Sequence, residues 1–236
     1  MHERTARDDR MRLGVLCSGG KDSLYACGCA MQTDEVACLI GIRARNPESY
    51  MFHTPNVHLV PLQAEAAGLP LVDVETPGEA EKELADLEQA LVIAQEQHKI
   101  EGVVTGAILS VYQATRIQKI CNRLDLWCFN PLWHTDQEKY MESLIRQGFR
   151  VILSGVFAAP FDETWLGREI DPRMIDELRG FSQKWKISLT GEGGEFETLV
   201  LDAPFFTKKI RIVEATHDYA NHNGAIRVTR AVLEDK

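Results

Sequence analysis

The chain has 236 residues, 44% hydrophobic and 26% charged, with 35 acidic against 26 basic residues and a formal net charge of -9. That is apolar material for one large α/β domain or two modest ones, far from disordered or fibrous composition. A protein that coats nucleic acid needs a basic stripe to displace counterions, and none is visible, so long nucleic acid is not an expected partner.

After a polar leader, Leu13 to Cys17 is a short apolar run that stops at Ser18-Gly19-Gly20, and Leu24, Cys27 and Met31 then recur at helical spacing. This predicts strand, tight glycine turn and helix. Val36 to Ile42 and Leu71 to Val74 are nearly all apolar, as strands buried on both faces of a parallel sheet are, and the polar segment Arg43 to Pro61 lies between them. Glu79 to Gln97 predicts an amphipathic crossover helix with Leu84, Leu87, Leu91 and Ala94 on one face. Val103 to Thr105 enters Gly106, and Tyr112 to Arg123 predicts another helix.

The pattern changes near Asn130-Pro131. Glu138 to Arg146 continues helical, Val151 to Gly155 is apolar, and Asp171-Pro172 offers an N-cap and first-turn proline for a helix to about Arg179. Residues 208 to 217 and 225 to 232 alternate in part around Asn221 to Gly224, predicting two antiparallel strands. The expected architecture is α/β: a Rossmann-like, doubly wound, mostly parallel sheet over residues 1–130, then a smaller C-terminal α+β lobe over residues 131–236.

The N-terminal residues lack an apolar targeting core, and no stretch approaches the roughly 20 apolar residues that cross a bilayer, so no membrane is expected and the cytoplasm is the expected location. The cysteines Cys17, Cys27, Cys29, Cys38, Cys121 and Cys128 sit mostly among aliphatic residues, the usage of a reducing compartment, and read as buried thiols.

The run Ser18-Gly19-Gly20-Lys21-Asp22-Ser23 carries the most chemistry. Its glycines let backbone amides approach an anion, Ser18 and Ser23 add hydroxyls, and the following helix aims its free amide end at the same place. The Walker and dinucleotide patterns both fail here: Val15 stands where the first needs glycine, and the second lacks its third glycine. The order resembles the pyrophosphate-binding signature of the adenine-nucleotide alpha-hydrolase superfamily, the ATP pyrophosphatases. That resemblance implies ATP and Mg²⁺, with Lys21 offsetting charge on the leaving pyrophosphate; Asp22 either orients the metal through water or caps a backbone amide.

Further motifs surround the loop. Pro47 to Asn56 places aromatics, His53 and Asn56 after the second strand, with His53 open between a structural or substrate-positioning group and a base. Gly106 to Gln113, with Tyr112 and, one turn on, Arg116, follows another strand end; Ser110, Gln113 and Arg116 are candidates to reach phosphate. Glu192, Glu195 and Glu197 crowd among Gly191, Gly193 and Gly194, a repulsive cluster unless a cation compensates it; if the chain from Glu195 is extended, Glu195 and Glu197 share one face.

Taken with Pro131-Leu132-Trp133, Trp165 to Arg168 and Ile170-Asp171, these runs resemble the diphthine–ammonia ligase family in order over about residues 11 to 232. The resemblance implies that diphthine on translation elongation factor 2 is amidated with free ammonium through an acyl adenylate, giving diphthamide, AMP and pyrophosphate. Lys21, Glu195 and Glu197 are then the expected catalytic residues; Ser18 to Ser23, Gly106, Gln113 and Arg116 hold ATP; His53, Asn56, Tyr112 and Glu192 face the substrate; and Asp22 meets the metal. Glu195 or Glu197 takes the ammonium proton while Glu192 orders its loop. A homodimer is the expected assembly. Two alternatives stand beside this: a transfer RNA-modifying ATP pyrophosphatase, which should add a basic surface or a catalytic thiol pair, with Cys121 and Cys128 the candidates, and a non-enzymatic ATP sensor.

Overall fold

The structure, a computed structural model, describes residues 10–45, 55–78 and 82–236; His53 and the rest of 46–54, and the first residues of the crossover helix expected from Glu79, lie outside the described residues. Five strands, β1 (Arg12–Leu16), β2 (Glu35–Ala44), β3 (Leu71–Thr76), β4 (Gly102–Val104) and β5 (Trp127–Phe129), form a parallel sheet in the order β3-β2-β1-β4-β5. The crossovers are α1 (Lys21–Thr33), α2 (Val60–Ala67), α3 (Lys82–His98) and α4 (Val111–Arg123). The doubly wound α/β expectation holds. Strand order reverses between β1 and β4, and at such a switch point the loops beyond the strands diverge and leave a crevice.

Alternation along β2 supplies both sides of the sheet. Ile40 and Ile42 meet Leu87 and Leu91 of α3 and Ile117 and Ile120 of α4, whereas Leu39 joins Val15, Leu24 and Cys27 on the α1 side. That second cluster runs without interruption into the C-terminal lobe through Phe149, Leu153, Phe161 and Phe196. The lobe contains α5 (Gln137–Arg146), α6 (Pro172–Trp185) and an antiparallel sheet of β6 (Arg150–Val156), β7 (Phe196–Asp202), β8 (Lys208–Ala220) and β9 (Asn223–Asp235), ordered β7-β6-β9-β8. Tyr25 of α1 stacks edge-on against Tyr140 of α5, with ring centroids 4.9 Å apart.

Several boundaries differ from expectation. Helix α2 was not anticipated: Pro61 starts it in the first turn, where its missing N–H costs nothing. Asp171 caps α6 by accepting from the Met174 N–H at 2.7 Å, as expected, but the helix continues to Trp185 through Gly180. Strands β8 and β9 are longer than the alternation suggested, joined by Asn221 and His222, both at positive φ, the two-residue turn that matches strand twist.

Asn56 corrects an expectation. Its side chain is buried and spent on β9, donating to the Ile226 carbonyl at 2.8 Å and accepting from the Val228 N–H at 2.8 Å. It therefore rivets the loop after β2 to the C-terminal lobe rather than facing a substrate. Asn56→Ala strands two backbone groups and is expected to cost about 2–4 kcal/mol, read as a lowered Tm, with less effect on the ATP affinity of the folded fraction.

Candidate active site

A cleft of about 420 Å³ opens at the switch point. Leu16, Ile40, Ile42 and Ile117 give it an apolar floor, the glycine loop and the turn after β4 form one wall, and Thr190 to Gly194 with Phe196, Glu197 and Thr198 of the C-terminal lobe form the other. Both lobes are needed to make it.

The glycine loop after β1 is built by local necessity. Gly19 sits at φ +84, in the left-handed region open to glycine, and its carbonyl accepts from the Val200 N–H and the Gln63 amide. Gly20 is the N-cap of α1 and brings no capping side chain of its own; instead Thr198, from β7, accepts the Lys21 N–H at 3.1 Å. Ser23 closes the loop, its hydroxyl accepting from the Ser18 N–H and donating to the Gly20 carbonyl, while Ser18 stays exposed. A Cβ on Gly106 would lie 2.6 Å from the backbone of Asp22 and Ser23, so only glycine lets the turn after β4 press against the start of α1.

Lys21 is 2% exposed, and its ammonium donates to both Asp22 oxygens and to the Thr190 carbonyl at 2.5 Å. Its Nζ lies 5.6 Å from the Phe196 ring centroid and 6.0 Å from that of Tyr140. Asp22 also accepts from the Tyr140 hydroxyl at 2.8 Å. Burial, then the Asp22 charge, holds the Tyr140 phenol well above its ordinary pKa, so it stays a donor. The buried cation thus ties the glycine loop to the C-terminal lobe.

The three glutamates do different things. Glu192 reaches across the cleft, one oxygen accepting from the N–H groups of Leu109 and Ser110 at 2.9 Å each, just before α4; this clamps its loop, as expected, with a protein partner in place of a substrate contact. Glu195 departs from expectation: it lies before β7, accepts from the Ser188 N–H at 2.7 Å, and turns into its own loop, off the cleft lining. Glu195 lies in the turn before the strand, which begins at Phe196, so the extended chain that a shared face required starts one residue too late to include it. Glu197 does line the cleft, and burial, aided by the Asp22 charge and opposed by Lys21, pushes its carboxyl up to about 7.

Gly106, Ser110 and Gln113 line the cleft, with Ser110 capping α4 by accepting from the Gln113 N–H. Arg116 and Tyr112 do not. The guanidinium of Arg116 lies 3.4 Å from the Tyr112 ring centroid, one helical turn away, so helix periodicity turns it along the surface and away from a phosphate. Cys121 lies on the buried face of α4, and neither it nor Cys128 lines the cleft; Cys17 does, with its thiol pushed up to about 11 by burial. Thr190, Thr198 and Tyr140 were not singled out from sequence, although Thr198 ends the acidic run. Among the described residues no group of three or more His, Cys, Asp or Glu is arranged to hold a metal ion.

Family models place this chain in known company. Residues 11–127 match the diphthamide synthase N-terminal domain and residues 136–233 the diphthamide synthase C-terminal domain. The chain is 35% identical to a Bos taurus protein and 35% identical to a Homo sapiens protein, in both cases over 96% of this chain and 94% of the relative. It is 34% identical to a Schizosaccharomyces pombe protein, over 86% of this chain and 36% of that one. All three relatives are named diphthine–ammonia ligase. A solved chain described as a predicted subunit of a tRNA methyltransferase from Methanocaldococcus jannaschii superposes with a TM-score of 0.44 at 16% identity, over 82% of this chain and 97% of that one, too loosely to bear on function.

Proposed function

The chain belongs to the diphthamide synthase family, and from that premise we propose that it is an ATP-dependent diphthine–ammonia ligase, converting the diphthine carboxylate on translation elongation factor 2 to the amide of diphthamide. The observation that carries the reading is the cleft itself: a phosphate loop from one lobe faces a half-buried carboxylate, Glu197, from the other. On this reading residues 1–130 are the nucleotide-binding domain and residues 131–236 the substrate-binding lobe.

A carboxylate is a poor electrophile because its oxygen leaves badly, so it must first be activated. The diphthine carboxylate attacks the α-phosphorus of ATP and expels pyrophosphate; ammonia then displaces AMP from the acyl adenylate. Splitting the conversion this way gives two accessible barriers. The N-terminal amides of α1 and the Lys21 ammonium receive the charge that grows on pyrophosphate, Lys21 exchanging its Thr190 carbonyl contact for a phosphate oxygen. Ser18, Gly19, Gly20, Ser23, Gly106 and Gln113 shape the rest of the nucleotide seat.

Asp22 suits a magnesium ion. Its carboxylate is 31% exposed at the cleft, and two partners leave lone pairs free. Magnesium is commonly held by one or two carboxylates with substrate phosphates and water, so the lack of a larger donor cluster among the described residues is no obstacle. The ion supplies charge neutralisation at the phosphates. Of the two glutamates expected to handle ammonium, Glu197 is favoured, because it lines the cleft with a carboxyl pushed up to about 7, suited to taking a proton near neutrality. Glu195 is tied to Ser188, which leaves it an ordering role in the loop.

The reading also takes the cytoplasm as location and a homodimer as assembly; no described helix is long and apolar enough to cross a membrane. The transfer RNA alternative loses ground because Cys121 and Cys128 lie off the cleft. The deciding experiment is mass analysis of diphthine-bearing elongation factor 2 after incubation with the protein, Mg-ATP and ammonium. Conversion of acid to amide is expected, with AMP and pyrophosphate formed in equal amount. Unmodified factor, or ADP and phosphate as products, would sink the proposal, and ATP binding without turnover would favour the sensor.

A further inference from the structure

We infer that the exposed apolar lip Leu109, Val111 and Tyr112, at the rim of the cleft, is the surface on which the protein acceptor seats the segment that carries its modified side chain. The inference rests on the ligase reading above, because that acceptor is a whole folded protein whose side chain must be delivered into the cleft. Among the described residues the large hydrophobics left exposed are Leu109, Val111 and Tyr112, at 41%, 65% and 39%, and the isolated Trp127 and Trp185. Three of them thus fall within four consecutive positions. Scattered exposed apolar residues need no explanation, but a contiguous patch does.

The lip is continuous with the site. Ser110, between two lip residues, and Gln113, just after them, line the cleft, while the Leu109 and Ser110 N–H groups are gripped by Glu192 from the opposite wall. It is also held firmly. Ile108 is fully buried beneath it, the Ile108 carbonyl accepts from the His134 N–H at 2.9 Å, and Ser110 caps α4. These side chains are therefore presented outward by a rigid element and not by a frayed loop.

Charge gives the lip its likeness to an interface core. No charged residue occurs between Glu101 and Arg116, in a chain whose net charge is -9, and interface cores are poor in charge and rich in aromatics. The neighbouring cleft offers the carboxylates of Asp22, Glu192 and Glu197, which suit a cationic group on the side chain delivered there. Aliphatic contact at the lip and attraction within the cleft then act on adjacent parts of one ligand. One face of the Tyr112 ring is covered by the Arg116 guanidinium, so Tyr112 offers the lip only the remainder of its surface.

The test uses Val111→Asp and Leu109→Asp in the full chain, since both point from the rim and neither is assigned a part in holding ATP or in catalysis. The KM for the diphthine-bearing factor is expected to rise at least tenfold, with kcat changed by less than a factor of three, and the Kd for ATP and the Tm unchanged. Direct binding of the factor, by sedimentation or anisotropy, is expected to weaken in parallel. A KM and acceptor Kd within twofold of the unsubstituted protein would overturn the inference, as would loss of a homodimer on substitution with acceptor binding retained, which would make the lip a self-association surface. Should the unsubstituted protein bind the factor but fail to amidate it, the ligase reading falls, while the binding measurement still decides the lip.

Discussion

Replacing Glu197 by glutamine is expected to lower kcat for amide formation by about 10²–10³-fold while leaving the Kd for ATP nearly unchanged, because a correctly placed base contributes on that order and glutamine keeps the shape. The pH dependence gives the sharper reading. Burial lifts the Glu197 carboxyl to about 7, so the proton-accepting form grows as pH rises through that value, and kcat should rise with it. In Glu197→Gln this inflection should vanish, leaving only the increase due to free ammonia, which is common to both proteins. Stability should move the other way. A carboxyl protonated in the fold up to about 7 but ionised in the unfolded chain above 4.5 makes the folded protein lose stability as pH rises between those values. The substitution removes that loss, so the variant is expected to melt no lower than the unsubstituted protein at pH 8 while having lost turnover. A variant that retains the inflection and most of its kcat would remove Glu197 from the proton-accepting role.

What was legible in the sequence was whatever depends on neighbours along the chain. The glycine turn after β1, the helix that follows and the Asp171-Pro172 start of α6 are local devices, and they stand where the residues put them. Fold class followed from repeated local patterns. The site was less legible because its decisive contacts are distant ones: Thr198 meets Lys21 across 177 positions, Thr190 across 169, and Tyr140 meets Asp22 across 118. Nothing in the residues around Tyr140 distinguishes it from an ordinary aromatic on an apolar helix face. Asn56 shows the converse error, a polar residue near a strand end whose capacity is consumed by backbone groups of β9. Both Glu195 and Glu197 were candidates, and what parts them is that Glu195 falls in the turn before β7, held by the Ser188 N–H, whereas Glu197 lies within the strand and lines the cleft.

Lys21→Met is expected to lower kcat/KM for ligation by roughly 10³-fold, leaving a small residual activity, since a single preorganised donor to a developing anion is commonly worth 10²–10³ and this one carries a full charge. Methionine fills similar volume among Phe196 and Tyr140, so packing is largely kept. Asp22 then retains only the Tyr140 hydroxyl as its side-chain donor and the Thr190 carbonyl loses its partner, which should lower stability by about 1–3 kcal/mol, moderated by the partial exposure of Asp22. A fold defect and a chemical one can be separated through Glu197. Lys21 is the neighbour that holds the Glu197 carboxyl down, so its removal should carry the inflection in any residual activity to higher pH, an effect that unfolding of part of the sample cannot produce. Lys21→Arg keeps the charge but spreads it over a planar fork in place of a compact ammonium, and should recover only part of the rate. Full activity in folded Lys21→Met would mean that the α1 amides and the metal alone carry the pyrophosphate charge, and the buried ammonium would then be no more than a strut between the lobes.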